Sequence, residues 1–177
     1  RIVTHISNFR PVKRINDVVS IFYNIQKEMP AKLLMVGDGP ERLGAEQLCR
    51  KLGIKDKVIF LGNSDEIDKI LCFSDLFLLP SERESFGLAA LEAMVNNVPV
   101  ISSNTGGIPE VNVQGFSGYL SDVGNVEEMS QNAIRILRDD VVLEKFKENA
   151  FNQALKFDIN EIVPVYISLY ESILEEV

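Results

Sequence analysis

Short apolar runs alternate along this chain with longer stretches in which apolar positions recur every three or four residues. Ile2 to Ile6 reads as a strand, and Ile15, Val18, Val19, Phe22 and Ile25 follow at helical spacing until Pro30 stops the helix. Lys32 to Val36 is a second apolar strand, closed by Gly37-Asp38-Gly39-Pro40. A helix then runs to about Leu52, with Gly53 as its C-terminal cap. Val58 to Leu61, Leu76 to Leu79, Pro99 to Ser102 and Gly118 to Leu120 are four more strands. The pattern places a short helix at Glu66 to Phe73, another at Phe86 to Asn96, and a turn at Gly106-Gly107 with Pro109. From Val126 onward it is helical, with two C-terminal helices near 141–155 and 159–175 that lengthen the fold without adding a second core. Near-continuous apolar strands, alternating with helices, specify a parallel sheet covered on both faces. The predicted fold is therefore α/β, a doubly wound, Rossmann-like sheet, and its ligand belongs beyond the carboxyl ends of the strands.

Length and composition fit one ordinary domain. The chain has 177 residues, 46% of them hydrophobic and 25% charged. A net charge of −8 argues against a broad grip on nucleic acid or anionic lipid, though not against a local phosphate pocket. No run approaches the ~18–20 apolar residues of a membrane span. Cys49 and Cys72 both lie in apolar-periodic stretches and read as buried free thiols. The single histidine, His5, sits in the opening apolar run and reads as a core or edge residue rather than a catalytic one. The sequence opens on Arg1-Ile2-Val3, with no initiator Met, and is expected to be a piece of a longer protein.

Four segments fall where such a sheet presents its ligand. Ser7 to Arg14 follows the first strand and brings Arg10, Lys13 and Arg14 to a helix start, where free N–H groups and the helix dipole favour an anion such as pyrophosphate. Gly37 to Pro40 lacks a dinucleotide fingerprint because Arg42 holds the last glycine position, and with Asp38 it reads as a tight turn. Pro80 to Met94 is the richest segment. Glu84 falls just before a helix, where it can accept hydrogen bonds from sugar hydroxyls. Glu92 lies two turns inside, where it can hold a ribose diol. Ser85 is a candidate cap and Gly87 opens the first turn to a ligand. Leu88, Ala89 and Leu91 make this helix look largely buried, so Glu92 is expected to need a partner. The simpler readings are dipole complementarity for Glu84 and an exposed helix charge for Glu92. Thr105 to Glu110 reads first as a turn.

Glu84-Ser85-Phe86-Gly87-Leu88-Ala89-Ala90-Leu91-Glu92 resembles the E-x-F-G-x-x-x-x-E motif of the retaining glycosyltransferases of family GT4, which have the GT-B fold. Further family-like segments occur in the same order: Val36 to Glu41, Val58 to Gly62, Ser74-Asp75, Pro80-Ser81, Val98 to Val100 and Gly106 to Glu110. The resemblance spans essentially the whole chain and implies that residues 1–177 are a donor-binding domain, with the acceptor domain outside it. It implies that Glu92 holds the ribose of a UDP-sugar and Glu84 the hydroxyls of the sugar. The backbone of Ser85, Phe86, Gly87 and Leu88, with Gly62 and Asn63, would line the donor, and Lys13 would meet the pyrophosphate. Glu84 and Lys13 are the implied catalytic pair. Ser7-Asn8 stands where the family often has Gly-Arg, which leaves Arg10 or Arg14 to supply the missing charge beside Asn8.

His5 to Arg10, Val12 to Arg14 and Asp17 to Val19 resemble the N-acetylglucosaminyl L-malate synthases of bacillithiol synthesis. That implies transfer of N-acetylglucosamine from UDP to L-malate with retention. The implied route is a front-face displacement that needs no enzymic nucleophile and no metal or other cofactor. It also implies a cytoplasmic protein, no nucleic-acid partner, and a homo-oligomer as one arrangement of the full-length protein. The alternatives are a GT4 transferase with another donor or with a lipid or polysaccharide acceptor, and a non-catalytic nucleotide-sugar module. The chain alone is expected to bind UDP-sugar weakly and transfer nothing.

Overall fold

A computed structural model describes residues 1–175. Six strands, β1 (Ile2–Ile6), β2 (Lys32–Val36), β3 (Val58–Gly62), β4 (Leu76–Leu79), β5 (Val100–Ser103) and β6 (Gly118–Ser121), form one sheet in the order β3-β2-β1-β4-β5-β6. All five pairings are parallel. Eight α-helices accompany them: α1 (Ile15–Glu28), α2 (Arg42–Lys51), α3 (Ile67–Leu71), α4 (Leu88–Val95), α5 (Ile108–Val111), α6 (Val126–Leu137), α7 (Asp140–Ala154) and α8 (Ile159–Glu175). The predicted doubly wound α/β sheet is the fold observed.

The central strands show why it forms. All four residues of β4 are buried, and they alternate between two cores. Leu76 and Leu78 join Phe22, Leu33, Met35 and Ile101 beneath α1, α2 and α6. Phe77 and Leu79 join Val100, Ala90, Ala93 and Met94 beneath α3, α4 and α5. A strand sandwiched this way favours apolar residues at every position, and β4 is the apolar run read in the sequence. Helix α7 reaches both cores, with Leu143 and Phe146 in one and Ala150 and Ala154 in the other. Helix α8 leaves most of its side chains in solvent.

The order reverses between β1 and β4. The chain winds outward through β2 and β3 on one side, then crosses back to β4 and winds outward again through β5 and β6. At such a point neighbouring loops diverge and a crevice opens at the carboxyl ends. The registers record the divergence. β1 pairs with β2 through Ile6↔Val36, but with β4 only as far as Thr4↔Phe77.

Two sequence expectations require correction here. Cys49 is buried, and burial pushes its thiol up to about 11, but Cys72 is exposed beyond the end of α3. The helix expected from Phe86 starts at Leu88, with Gly87 at its N-cap, and no side chain caps it, so Ser85 does not.

Phe22 is fully buried and Phe73 is 73% exposed. Urea unfolding of Phe22→Ala is expected to show a loss of about 3–5 kcal/mol, against no more than about 0.5 kcal/mol for Phe73→Ala. Equal losses would contradict the core assignment.

Candidate functional site

Two loops flank the crevice at the strand-order reversal. After β1, the chain runs through Ser7, Asn8 and the fully buried Phe9 into a 3-10 turn at Pro11–Lys13. After β4, Pro80 and Ser81 lead to Glu84 and the start of α4. The Glu82 N–H donates to the Val12 carbonyl at 2.8 Å, tying the loops together. Directly beside that tie, Lys13 Nζ donates to Glu84 Oε2 at 2.7 Å. The two side chains are 20% and 16% exposed, so the pair is partly withdrawn from water but still open to a ligand. Lys13 and Glu84, 71 residues apart, are thus brought together at the crevice.

Arg10 and Arg14 part company. Arg14 adopts a left-handed conformation at the start of α1 and pairs with Asp17, while its guanidinium lies against Gly124. It is not free to replace a missing arginine. Arg10 is exposed and, among the described residues, has no ion-pair partner. The expected group of three cations therefore reduces to Lys13 with Arg10 nearby in sequence.

Asn8 and Asn63 come together elsewhere on the same edge. With Ser7, Gly37, Ser64 and Ile67 they line an open cleft of about 220 Å³ beyond β1, β2 and β3. Gly62 ends β3, where its carbonyl accepts the Gly37 N–H at 2.8 Å, shaping the rim of that cleft. Asp38 accepts from the Gly39 N–H and pairs with Arg42, so the segment from Gly37 to Pro40 is the turn expected of it. A larger hollow of about 440 Å³ lies between α1 and α6, among Asn24, Lys27, Ser130 and Arg138. It faces the C-terminal half of α1, the opposite end of the sheet from the crevice, where parallel sheets do not place ligands.

On α4, Glu92 is exposed rather than buried. The helix buries Ala90, Ala93 and Met94, and turns Leu88, Glu92 and Val95 outward. The three share one face because they stand four and three residues apart. Of Leu88, Ala89 and Leu91, on which the expectation of a buried helix rested, Leu88 is 61% exposed and the other two are only partly buried. Partial desolvation, then the nearby Asp68 carboxylate, raises the Glu92 pKa. Glu92 does not join Lys13 and Glu84 in their contact. Phe86 lies edge-on to Phe157, ring centres 5.7 Å apart. Gly87 is buried and adopts a left-handed φ of 94°, which favours glycine, and a Cβ there would meet Ile108 at 3.5 Å, an ordinary contact.

Sequence reasoning missed two supports of this site. A Cβ on Gly106 would lie 1.8 Å from the Glu84 carbonyl oxygen, so only glycine lets the 105–107 turn press against the Glu84 loop. The Gly107 N–H donates to that same carbonyl at 3.2 Å. Its Gly-Gly pair was a visible signal, but nothing in the sequence said which loop it would meet. The second support is His5. It is fully buried, as expected of a core histidine, yet it bonds to the Leu78 carbonyl and the Ser7 hydroxyl, both at 2.8 Å.

The family model described as "Glycosyl transferases group 1" matches residues 1–153. The chain is similar to the N-acetyl-alpha-D-glucosaminyl L-malate synthase of Bacillus anthracis, 45% identical over 180 aligned positions covering 99% of this chain and 46% of that protein. It is also similar to the 2-deoxystreptamine N-acetyl-D-glucosaminyltransferase of Niallia circulans, 30% identical over 86% of this chain and 41% of that one. Among solved structures, Anabaena HepE in complex with UDP and glucose superposes with a TM-score of 0.86 at 25% identity, over 97% of this chain and 48% of that chain. The chain spans less than half the length of each of these relatives.

Burial lowers the His5 pKa from 6.5 to about 4, and the Lys13 charge adds to the effect against the Leu78 carbonyl and Glu84. The unfolded chain takes up a proton that the folded ring refuses, so this stabilisation is present above 6.5 and is lost as pH falls toward 4. Each unit is worth about 1.4 kcal/mol, so urea unfolding at pH 5 is expected to show roughly 2 kcal/mol less stability than at pH 7. A flat profile over that range would show that the ring is protonated where it sits.

Proposed function

This chain belongs to the group 1 glycosyl transferases, and from that premise we propose that it is the donor-binding part of a retaining glycosyltransferase that takes UDP-N-acetylglucosamine. The observation that carries the proposal is the Lys13–Glu84 pair at the strand-order reversal, at 2.7 Å. A cation and a carboxylate so placed can divide a nucleotide-sugar between them. Lys13, assisted by Arg10 rather than Arg14, meets the diphosphate. Glu84 accepts hydrogen bonds from the sugar hydroxyls. The N–H groups of Phe86, Gly87 and Leu88 add donors at the start of α4. Glu92, exposed two turns along, takes the ribose diol. The cleft lined by Asn8 and Asn63, with Gly62 at its rim, takes the base.

The chemistry proposed is a front-face displacement. The bond from the anomeric carbon to the β-phosphate oxygen breaks, and UDP leaves with the electron pair. The acceptor hydroxyl forms the new bond on the same face, and its proton passes to the departing phosphate. Lys13 stabilises the charge developing on that phosphate, which is electrostatic catalysis. No metal ion and no side-chain nucleophile are required.

The donor sugar is supported by two relatives whose names share an N-acetylglucosaminyl group. Their names differ in the acceptor, L-malate in one and 2-deoxystreptamine in the other. L-malate is the acceptor proposed here, because the malate synthase is 45% identical and the other relative 30%. The residues that choose the acceptor are proposed to lie in the part of these relatives that this chain does not span. The working protein is proposed to be cytoplasmic, and no helix among the described residues is long and apolar enough to cross a membrane.

Titration with UDP, UDP-N-acetylglucosamine and GDP-mannose is expected to rank the N-acetylglucosamine donor first. Glu92→Ala and Lys13→Ala should each weaken UDP binding by more than about 1.5 kcal/mol, the loss of a hydrogen bond to a charged group. Unchanged UDP affinity in Glu92→Ala would sink the ribose assignment, and tighter binding of GDP-mannose the donor assignment.

A further inference from the structure

We propose that His5 is a positioning residue for the diphosphate site: its ring pins the diverging ends of β1 and β4 together and holds Ser7, and so sets the path of the loop that carries Asn8, Arg10 and Lys13. The proposal rests on the reading that this site takes UDP.

The backbone ladder between β1 and β4 ends at Thr4↔Phe77. The next residue on each strand is His5 and Leu78. There the side chain takes over, with Nδ1 2.8 Å from the Leu78 carbonyl oxygen. A carbonyl only accepts, so Nδ1 carries the proton. Nε2 is then a bare acceptor, and the Ser7 hydroxyl at 2.8 Å donates to it. The ring stacks between Phe9 and Phe77, with centres 6.2 and 6.4 Å away, which fixes its plane. It is fully buried. An apolar side chain could fill this space without the cost of desolvating two ring nitrogens. What it could not do is hold a carbonyl of one strand and a hydroxyl of the next loop at once. The Ser7 N–H donates to the Val36 carbonyl at 3.0 Å, so Ser7 is held from both sides just before the exposed Asn8. Two ties thus join the elements on either side, the His5 bonds and the Glu82–Val12 bond, and Lys13, next to Val12 in the chain, pairs with Glu84. Both of those charges act on the His5 ring.

Two variants cut the same bond from opposite ends. Ser7→Ala removes the hydroxyl. His5→Asn keeps a donor near the Nδ1 position but loses the acceptor for Ser7. The full chain and both variants are titrated with UDP, and their melting temperatures are recorded. Because His5 is the only histidine, ¹⁵N spectra of the ring report its tautomer without ambiguity. The expected result is the Nδ1–H tautomer at pH 7 in the wild type, and a moved Nε2 resonance in Ser7→Ala. Each variant should weaken UDP binding about fivefold to tenfold, Ser7→Ala with a near-wild-type melting temperature, and the double variant should lose no more UDP affinity than either single one. An Nε2–H tautomer, additive losses, or unchanged UDP affinity would overturn the proposal. If His5→Asn fails to fold, Ser7→Ala and the ring spectrum still decide it. Absence of UDP binding in the wild type overturns the donor reading and this proposal together. UDP binding that needs Lys13 but ignores His5 and Ser7 overturns this proposal alone.

Discussion

The reversal of strand order between β1 and β4 is the constraint on which the rest of the site depends. Two parallel strands whose connections leave in opposite directions cannot stay paired to their ends, and here the ladder stops at Thr4↔Phe77 while β1 continues alongside β2. The gap that opens is filled by two loops from distant parts of the chain. They are held by the Glu82–Val12 backbone bond and by His5, and the Gly106–Gly107 turn braces one of them from outside. Lys13 and Glu84 meet because these ties leave them facing one another.

The pair has consequences for binding. The pair holds Lys13 in place against Glu84; under the proposed reading a diphosphate would find its cation already ordered and lose less entropy on binding. In that proposal the phosphate would compete with Glu84 for the cation, and sugar hydroxyls on Glu84 would offset what the carboxylate gives up. A chain with a net charge of −8 can in this way attract an anion through a local arrangement that its overall charge opposes. Arg14 shows how much the local fold decides. It neighbours Lys13 in sequence, but its left-handed backbone turns it to Asp17.

The sheet was legible in the sequence because the strands are short, largely apolar runs alternating with helices, with β4 apolar throughout, and each strand lies within a residue or two of its expected limits. Glu84 and Lys13 could each be singled out from the sequence as candidates, but not as partners, since a spacing of 71 residues says nothing about contact. Errors arose where burial had to be inferred from neighbours. Apolar Leu88, Ala89 and Leu91 made α4 read as a buried helix and Glu92 as a buried charge, but Leu88 is exposed and Ala89 and Leu91 are only partly buried. Cys72 misled for the same reason, lying just past the end of α3. Ser85 has the chemistry of a cap, but α4 begins three residues later, behind Gly87. The roles of His5 and Gly106 were invisible because each depends on a carbonyl far away in the chain, Leu78 for one and Glu84 for the other.

The central claim is that the crevice between β1 and β4 receives a nucleoside diphosphate on Lys13. A crystal structure of the chain with UDP tests it most directly. The account predicts the β-phosphate beyond the carboxyl ends of β1 and β4, within hydrogen-bonding distance of Lys13 Nζ. UDP bound elsewhere, for instance in the hollow between α1 and α6 beside Lys27 and Arg138, with Lys13 still paired only to Glu84, would contradict it.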